Sequence, residues 1–253
     1  MRPNGSPGPA FGPVVIDVFP ESVARYRRDH AVVAVDVFRA TTMAVTAVAQ
    51  GRRCIVATSV ADAFAIRQEL PEALLAGELG GDTPDGFEMN NSPADLVLRA
   101  DVERPLVMVS SSGTRVMTEA SGSDEGAYVA SLRNLTATAR HLIGRHERIA
   151  VIGAGSRGSF REEDQMACAW IAEILIRAGH VAADEPTQQL IDRWTGASVA
   201  ACQVSESVAY LGRSGQLRDY DFVVATADDL DLVCAMTGNE VRAETSVELR
   251  SAS

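Results

Sequence analysis

Short runs of apolar residues recur along the chain, each followed by a polar turn and then by a longer stretch with apolar positions at helical spacing. A strand–loop–helix series produces this alternation. A strand buried on both faces reads as a continuous apolar run, whereas a helix packed on a sheet shows a 3.6-residue period. The runs at 14–18, 32–36, 53–57, 73–76, 106–109, 148–152 and 222–225 are predicted strands. Helices are predicted over 41–50, 60–70, 93–100, 114–120, 132–143, 162–177, 185–194 and 206–211. Ser59 and Ser92 stand at helix N-caps, the latter followed by Pro93 at the first helical position. Gly51 and Gly179 stand where C-caps belong. The series predicts an α/β fold, a three-layer αβα domain around a largely parallel or mixed sheet, over residues 14–241. The unit at 32–50 is similar to that at 148–177, which suggests two Rossmann-like halves, about 14–145 and 146–241. Residues 1–13, rich in Gly and Pro, and the polar residues 242–253 are expected to be tails.

Composition narrows the function classes. No apolar run approaches the ~20 residues needed to cross a bilayer. The first residues lack the basic, apolar pattern of a signal peptide, so a cytoplasmic protein is expected. The four cysteines, Cys54, Cys168, Cys202 and Cys234, are too far apart for paired zinc spacing or a disulfide framework, and read as buried small hydrophobes. His30, His141, His146 and His180 fall on predicted helix ends or loops and read as surface residues. With 34 acidic against 23 basic residues, net charge −11, the chain lacks the basic face of a nucleic-acid binder. Aromatic content of 5% is low for a single-strand stacking platform. A small anionic ligand remains compatible, because a few arginines and a cation can reverse the potential inside a cleft. So does a homodimer.

Four segments carry candidate chemistry, each after an apolar run, and α/β proteins place ligands at strand carboxyl ends. The first is Asp36-Val37-Phe38-Arg39-Ala40-Thr41-Thr42. A carboxylate there can hold Mg²⁺, while Arg39 and helix amides can bind phosphate oxygens. The plainer reading is an Asp36–Arg39 pair with a threonine cap. A haloacid-dehalogenase arrangement would need a second Asp where Phe38 stands. The second runs from Gly77-Glu78 to Asn91-Ser92-Pro93, where Ser92 suits a helix cap and an anion site alike. The third, Ser110-Ser111-Ser112-Gly113-Thr114-Arg115, suits an oxyanion or phosphate nest and fits neither a Walker loop nor a Gly-x-Ser-x-Gly elbow. The fourth, Gly153-Ala154-Gly155-Ser156-Arg157-Gly158, matches the dinucleotide fingerprint Gly-x-Gly-x-x-Gly. Glu162, Glu163 and Asp164 follow it and load the next helix start with charge that repels a bare pyrophosphate. A bound Mg²⁺ removes that conflict.

Taken in order and spacing, these segments resemble the 2-phosphosulfolactate phosphatase family of coenzyme M biosynthesis, from about residue 32 to 175 and more weakly around 205–225. The landmarks are Asp36-Val37-Phe38-Arg39-Ala40-Thr41, Gly77-Glu78, Gly86-Phe87, Asn91-Ser92-Pro93, Gly113-Thr114, Ala154-Gly155, Gly158, Phe160 and Glu163-Asp164. The resemblance implies Mg²⁺-dependent hydrolysis of 2-phosphosulfolactate to sulfolactate and phosphate. On this reading Asp36, Glu78 and Asp164 hold the metal, and Asp36, Arg39, Glu163 and Asp164 are catalytic. Thr41, Thr42, Asn91, Ser92, Ser112, Gly113, Thr114 and Gly155 bind a small anionic phosphorylated substrate. The chain departs from the family pattern at Leu79 and Ser112, where Arg and Asn or Thr are usual, and at Gly153 and Glu88. The rivals are a NAD(P) oxidoreductase using the 153–158 turn and a non-catalytic phosphometabolite-binding protein.

Overall fold

The computed structural model describes residues 11–244; most of the two predicted tails lies outside the described residues. The first half of the chain contributes β1 (Pro13–Val18), β2 (Ala31–Val35), α1 (Ala40–Ala49), β3 (Cys54–Val56), α2 (Val60–Glu69), β4 (Leu74–Gly77), α3 (Pro93–Leu96), β5 (Leu106–Val109) and α4 (Gly113–Ala120). The second contributes β6 (Ala127–Ala130), α5 (Leu135–Leu142), β7 (Ile149–Gly153), α6 (Glu162–Ala178), β8 (Val181–Ala182), α7 (Glu185–Trp194), α8 (Glu206–Arg213), α9 (Arg218–Ala225), β9 (Cys234–Thr237) and β10 (Glu240–Ala243).

The strands form one mixed sheet in the order β4-β5-β3-β10-β9-β6-β2-β7-β1-β8. β6, β2, β7, β1 and β8 are mutually parallel, as are β4, β5 and β3. The β9–β10 hairpin joins these groups antiparallel, with Cys234 beside Val129 and Val241 beside Cys54. Alternate residues of β1, β2 and β7 face two cores. Val14, Val33, Val35 and Val151 pack with α5, α6 and α7, while Val15, Val32, Ala34 and Ile152 pack with α1 and α4. The second core also takes Cys54 and Val56 of β3 and Leu106 and Met108 of β5. One helix layer is therefore shared by both strand groups. That explains α1: its sequence is apolar on every side, and eight of its ten residues are buried. α2 covers the outer face of β3, β4 and β5.

Several expectations change. Residues 222–225 end a helix, α9, not a strand. Phe222-Val223-Val224-Ala225 reads as β-branched and apolar, but Asp219, Tyr220 and Val223 are buried at helical spacing and Arg133 lies over the Phe222 ring. The last strands are β9 and β10, so Arg242 and Ala243 belong to the sheet rather than to a tail. The predicted helix at 93–100 shortens to α3. Strands on both sides of residue 145 interleave as β2-β7-β1. His180 is buried, edge-on to Phe11, and His30, His141 and His146 are partly covered, so none is freely exposed. The four cysteines are buried, as expected. No helix among the described residues is long and apolar enough to cross a membrane.

Candidate active site

The carboxyl ends of β2, β4, β5 and β7 meet at a cleft of about 500 Å³. Of the predicted residues, Asp36, Arg39, Glu78, Asn91, Ser112, Gly155, Glu163 and Asp164 line it. They come from four separate stretches of chain, so the fold gathers what the sequence holds apart.

β2 is wholly buried and delivers Asp36 to the cleft floor. The turn that follows is fixed from within. The Thr41 hydroxyl accepts from Asp36 N–H at 2.8 Å and is 2.9 Å from the Asp36 carbonyl, to which it donates, while Thr42 donates to the Val37 carbonyl at 2.8 Å. These two threonines shape the turn and do not line the cleft. The Val37 N–H donates to Asp164 Oδ1 at 2.8 Å, and the backbone at Gly155 also favours the charged form of that carboxylate. The first turn of α6 is thereby fastened to the end of β2. Gly155 adopts φ +62°, and a Cβ there would lie 2.6 Å from Phe19 Cε1, so both conformation and space require glycine. Gly113 opens α4 directly against the site: a Cβ would collide with Asp36 Oδ2 and the Ala40 Cβ.

The acids raise one another's proton affinity. Asp36 is pushed up to about 7, chiefly by burial, then by the charge of Glu78 and further by Glu163; the Ala40 amide and Arg39 act the other way. Asp164 lies well above the usual carboxylate range because of burial and the charges of Asp36 and Glu163. Burial also raises Glu163, which is 1% exposed and whose Oε2 has no hydrogen-bond partner. Asn91, equally buried, has an unpartnered Oδ1. A buried acceptor without a donor loses its hydration for nothing in return, at about 1–3 kcal/mol. A hard cation would cancel the repulsion among the acids, and their oxygens with that of Asn91 are the donor type such an ion takes. Among the described residues, no group of three or more His, Cys, Asp or Glu side chains is arranged to hold a metal ion, so the expected trio of Asp36, Glu78 and Asp164 is not assembled as a metal site.

Glu78 lines the cleft, but its carboxylate accepts from Ser111 N–H at 2.8 Å, Ser111 Oγ at 3.0 Å and Gly81 N–H at 2.7 Å. It ties two loops together, which differs from the metal-ligand role expected for it. Thr114 hydrogen-bonds within the Ser110 turn, and Ser92 caps α3 while donating to Asp219 at 2.7 Å. Neither lines the cleft. Arg39 is held by Asp219 at 2.8 Å, by Asn90 at 2.6 Å and by Gln216. The peptide bond before it is cis.

With Leu79 in place of the family's usual arginine, the sequence offers Arg115, Arg157 or Arg161 as substitutes; Arg157 and Arg161 of the β7–α6 loop line the cleft, whereas Arg115 pairs with Glu21 and does not. Sequence reasoning missed Glu206, Ser207, Tyr210 and Arg213 of α8, which also line it. The helix at 206–211 is legible, but nothing in its own periodicity directs it to this cleft. The 153–158 turn is also here, yet the helix start a pyrophosphate would need carries the buried Glu163 and Asp164.

The family described as 2-phosphosulpholactate phosphatase matches residues 17–240. A Deinococcus radiodurans protein named "Probable 2-phosphosulfolactate phosphatase" is 33% identical over 232 residues, covering 90% of this chain and 95% of its own. A Synechococcus sp. (strain WH7803) protein of the same name is 30% identical over 232 residues, covering 88% and 93%. With the match running through every segment that lines the cleft, the chain belongs to the 2-phosphosulfolactate phosphatase family.

Proposed function

We propose that this cleft hydrolyses the phosphate ester of a small anionic hydroxy acid, 2-phosphosulfolactate, to sulfolactate and inorganic phosphate, which would place the chain in coenzyme M biosynthesis. The observation that carries the reading is the convergence of buried Asp36, Glu163 and Asp164 beside Arg39, in a phosphoric monoester hydrolase family. Asp36 and Asp164 would hold Mg²⁺, with Asn91 Oδ1 as a further oxygen donor. Few protein ligands suffice, because Mg²⁺ keeps several waters and takes substrate oxygens as partners. When bound, the ion neutralises charge on the phosphoryl oxygens.

The remaining roles fall to the chain itself. Arg39 turns its uncommitted N–H donors toward the phosphoryl oxygens. Its guanidinium is already fixed by Asp219, Gln216 and Asn90, so little reorganisation accompanies the reaction. Glu163, with an unpartnered oxygen and raised proton affinity, takes the proton of the attacking water. The hydroxyl of Ser112 orients the ester, while Gly113, which does not line the cleft, lets α4 pack closely against Asp36.

The test is phosphate release from 2-phosphosulfolactate by purified protein, with Mg²⁺ and with EDTA. Release that requires Mg²⁺ and falls at least ~10³-fold in Asp36→Asn and ~10²-fold in Glu163→Gln supports the reading. Release indifferent to EDTA and to Asp36→Asn contradicts it.

A further inference from the structure

The cleft that holds the acids is also lined by three arginines. Arg157 and Arg213 are exposed and, among the described residues, form no ion pair. Arg161 is 8% exposed; it pairs with Glu206, but its Nε has no partner. An exposed arginine without a partner is ordinary. A buried guanidinium nitrogen without an acceptor is not, because leaving a buried donor unsatisfied is unfavourable. The three arrive from two separate elements, the β7–α6 loop and α8, to line the same cleft. The cleft is also larger than a phosphoryl group alone fills.

We propose that Arg157, Arg161 and Arg213 form the subsite for a second anionic group, the carboxylate or sulfonate that stays on the carbon skeleton when phosphate leaves. This rests on the phosphatase reading above. With the phosphoryl end drawn to Arg39, the other end of a small ester is left to these three arginines. Guanidinium forks match planar or three-oxygen anions through paired hydrogen bonds, which ammonium groups do not. They also offset the repulsion that a multiply charged acid meets in a cleft with an acidic floor. The contact lies away from the reacting phosphorus, so it is the same in ground and transition states and acts mainly on KM.

The experiment compares the wild type with the double variant R157Q/R213Q on three esters: 2-phosphosulfolactate, phospholactate lacking the sulfonate, and isopropyl phosphate lacking both acids. The ratio of kcat/KM for 2-phosphosulfolactate to that for isopropyl phosphate is expected to fall at least tenfold, mostly through KM. Whichever acid group, when removed from the substrate, abolishes the effect of the variant is the one these arginines bind. Equal losses on all three esters, or no loss, overturn the proposal. Binding of sulfolactate, followed by calorimetry, separates this from failure of the phosphatase reading. Tenfold weaker binding in the variant supports the subsite even without phosphate release. Equal binding by both proteins, or none by the wild type, overturns it.

Discussion

Burying Asp36 beside Glu163 and Asp164 makes stability depend on pH with a sign opposite to that of a salt-bridged acid. The Asp36 carboxyl rises from its ordinary 3.8 in the unfolded chain to about 7 in the fold. Below 3.8 both states are protonated and the penalty is absent. As pH climbs from 3.8 to about 7, the unfolded chain releases its proton first, and folding loses on the order of 4 kcal/mol at ~1.4 kcal/mol per pH unit. In EDTA, Asp36→Asn is therefore expected to melt several degrees above the wild type at pH 7.5, with the gap falling to less than half near pH 5. Thermal melts at the two pH values check this; a constant gap contradicts it. Gly113→Ala pushes a methyl group into Asp36 and Ala40. It is expected to lose ~2 kcal/mol of stability and over tenfold in kcat/KM. Gly122→Ala, whose nearest contact is 3.5 Å away, serves as the near-neutral control in urea melts. The acids were legible in the sequence because strand ends and helix starts mark themselves. The hydrogen-bonding duties of Thr41, Thr42, Ser92, Thr114 and Glu78 were not, because they depend on which backbone groups lie opposite.

At the scale of elements, α9 shows what a short apolar run conceals. Read as a strand, residues 222–225 would leave Asp219 in a loop. As a helix, they place Asp219, fully buried, where it accepts from Arg39 at 2.8 Å, from Ser92 Oγ at 2.7 Å and from Ala94 N–H at 3.1 Å. Asp219→Ala strands a buried guanidinium and should destabilise by about 3–5 kcal/mol. Because Arg39 then loses its anchor, kcat should fall with it. Chemical denaturation and steady-state kinetics check both, and a variant as stable as the wild type contradicts the assignment. The strands β1 to β5 and β7 were readable as apolar runs between turns. β6, β8, β9 and β10 were not read; apart from the two-residue β8 they are as long as β4 and β5, but β9 and β10 mix polar with apolar positions and do not form a continuous apolar run.

Across the whole molecule, the hairpin of β9 and β10 links two parallel strand groups that share α1 and α4 as one core. Nothing local announces this joint, since its partners Val129 and Cys54 lie over a hundred residues upstream. Val241, 1% exposed at its centre, should cost ~2 kcal/mol as Val241→Ala, and both strand groups should still melt in a single transition. Two separated transitions in calorimetry contradict a shared core. The same joint lets strand ends from both groups close on one cleft, lined by acids, arginines and orphaned oxygens. Titration calorimetry of Mg²⁺ at pH 7, in two buffers of different ionisation enthalpy, tests that arrangement most directly. One ion per chain is expected to bind, with proton release because Asp36 must give up its proton, and no binding is expected in Asp36→Asn or Asp164→Asn. Wild-type protein that binds no Mg²⁺, or variants that bind it equally well, contradict the account.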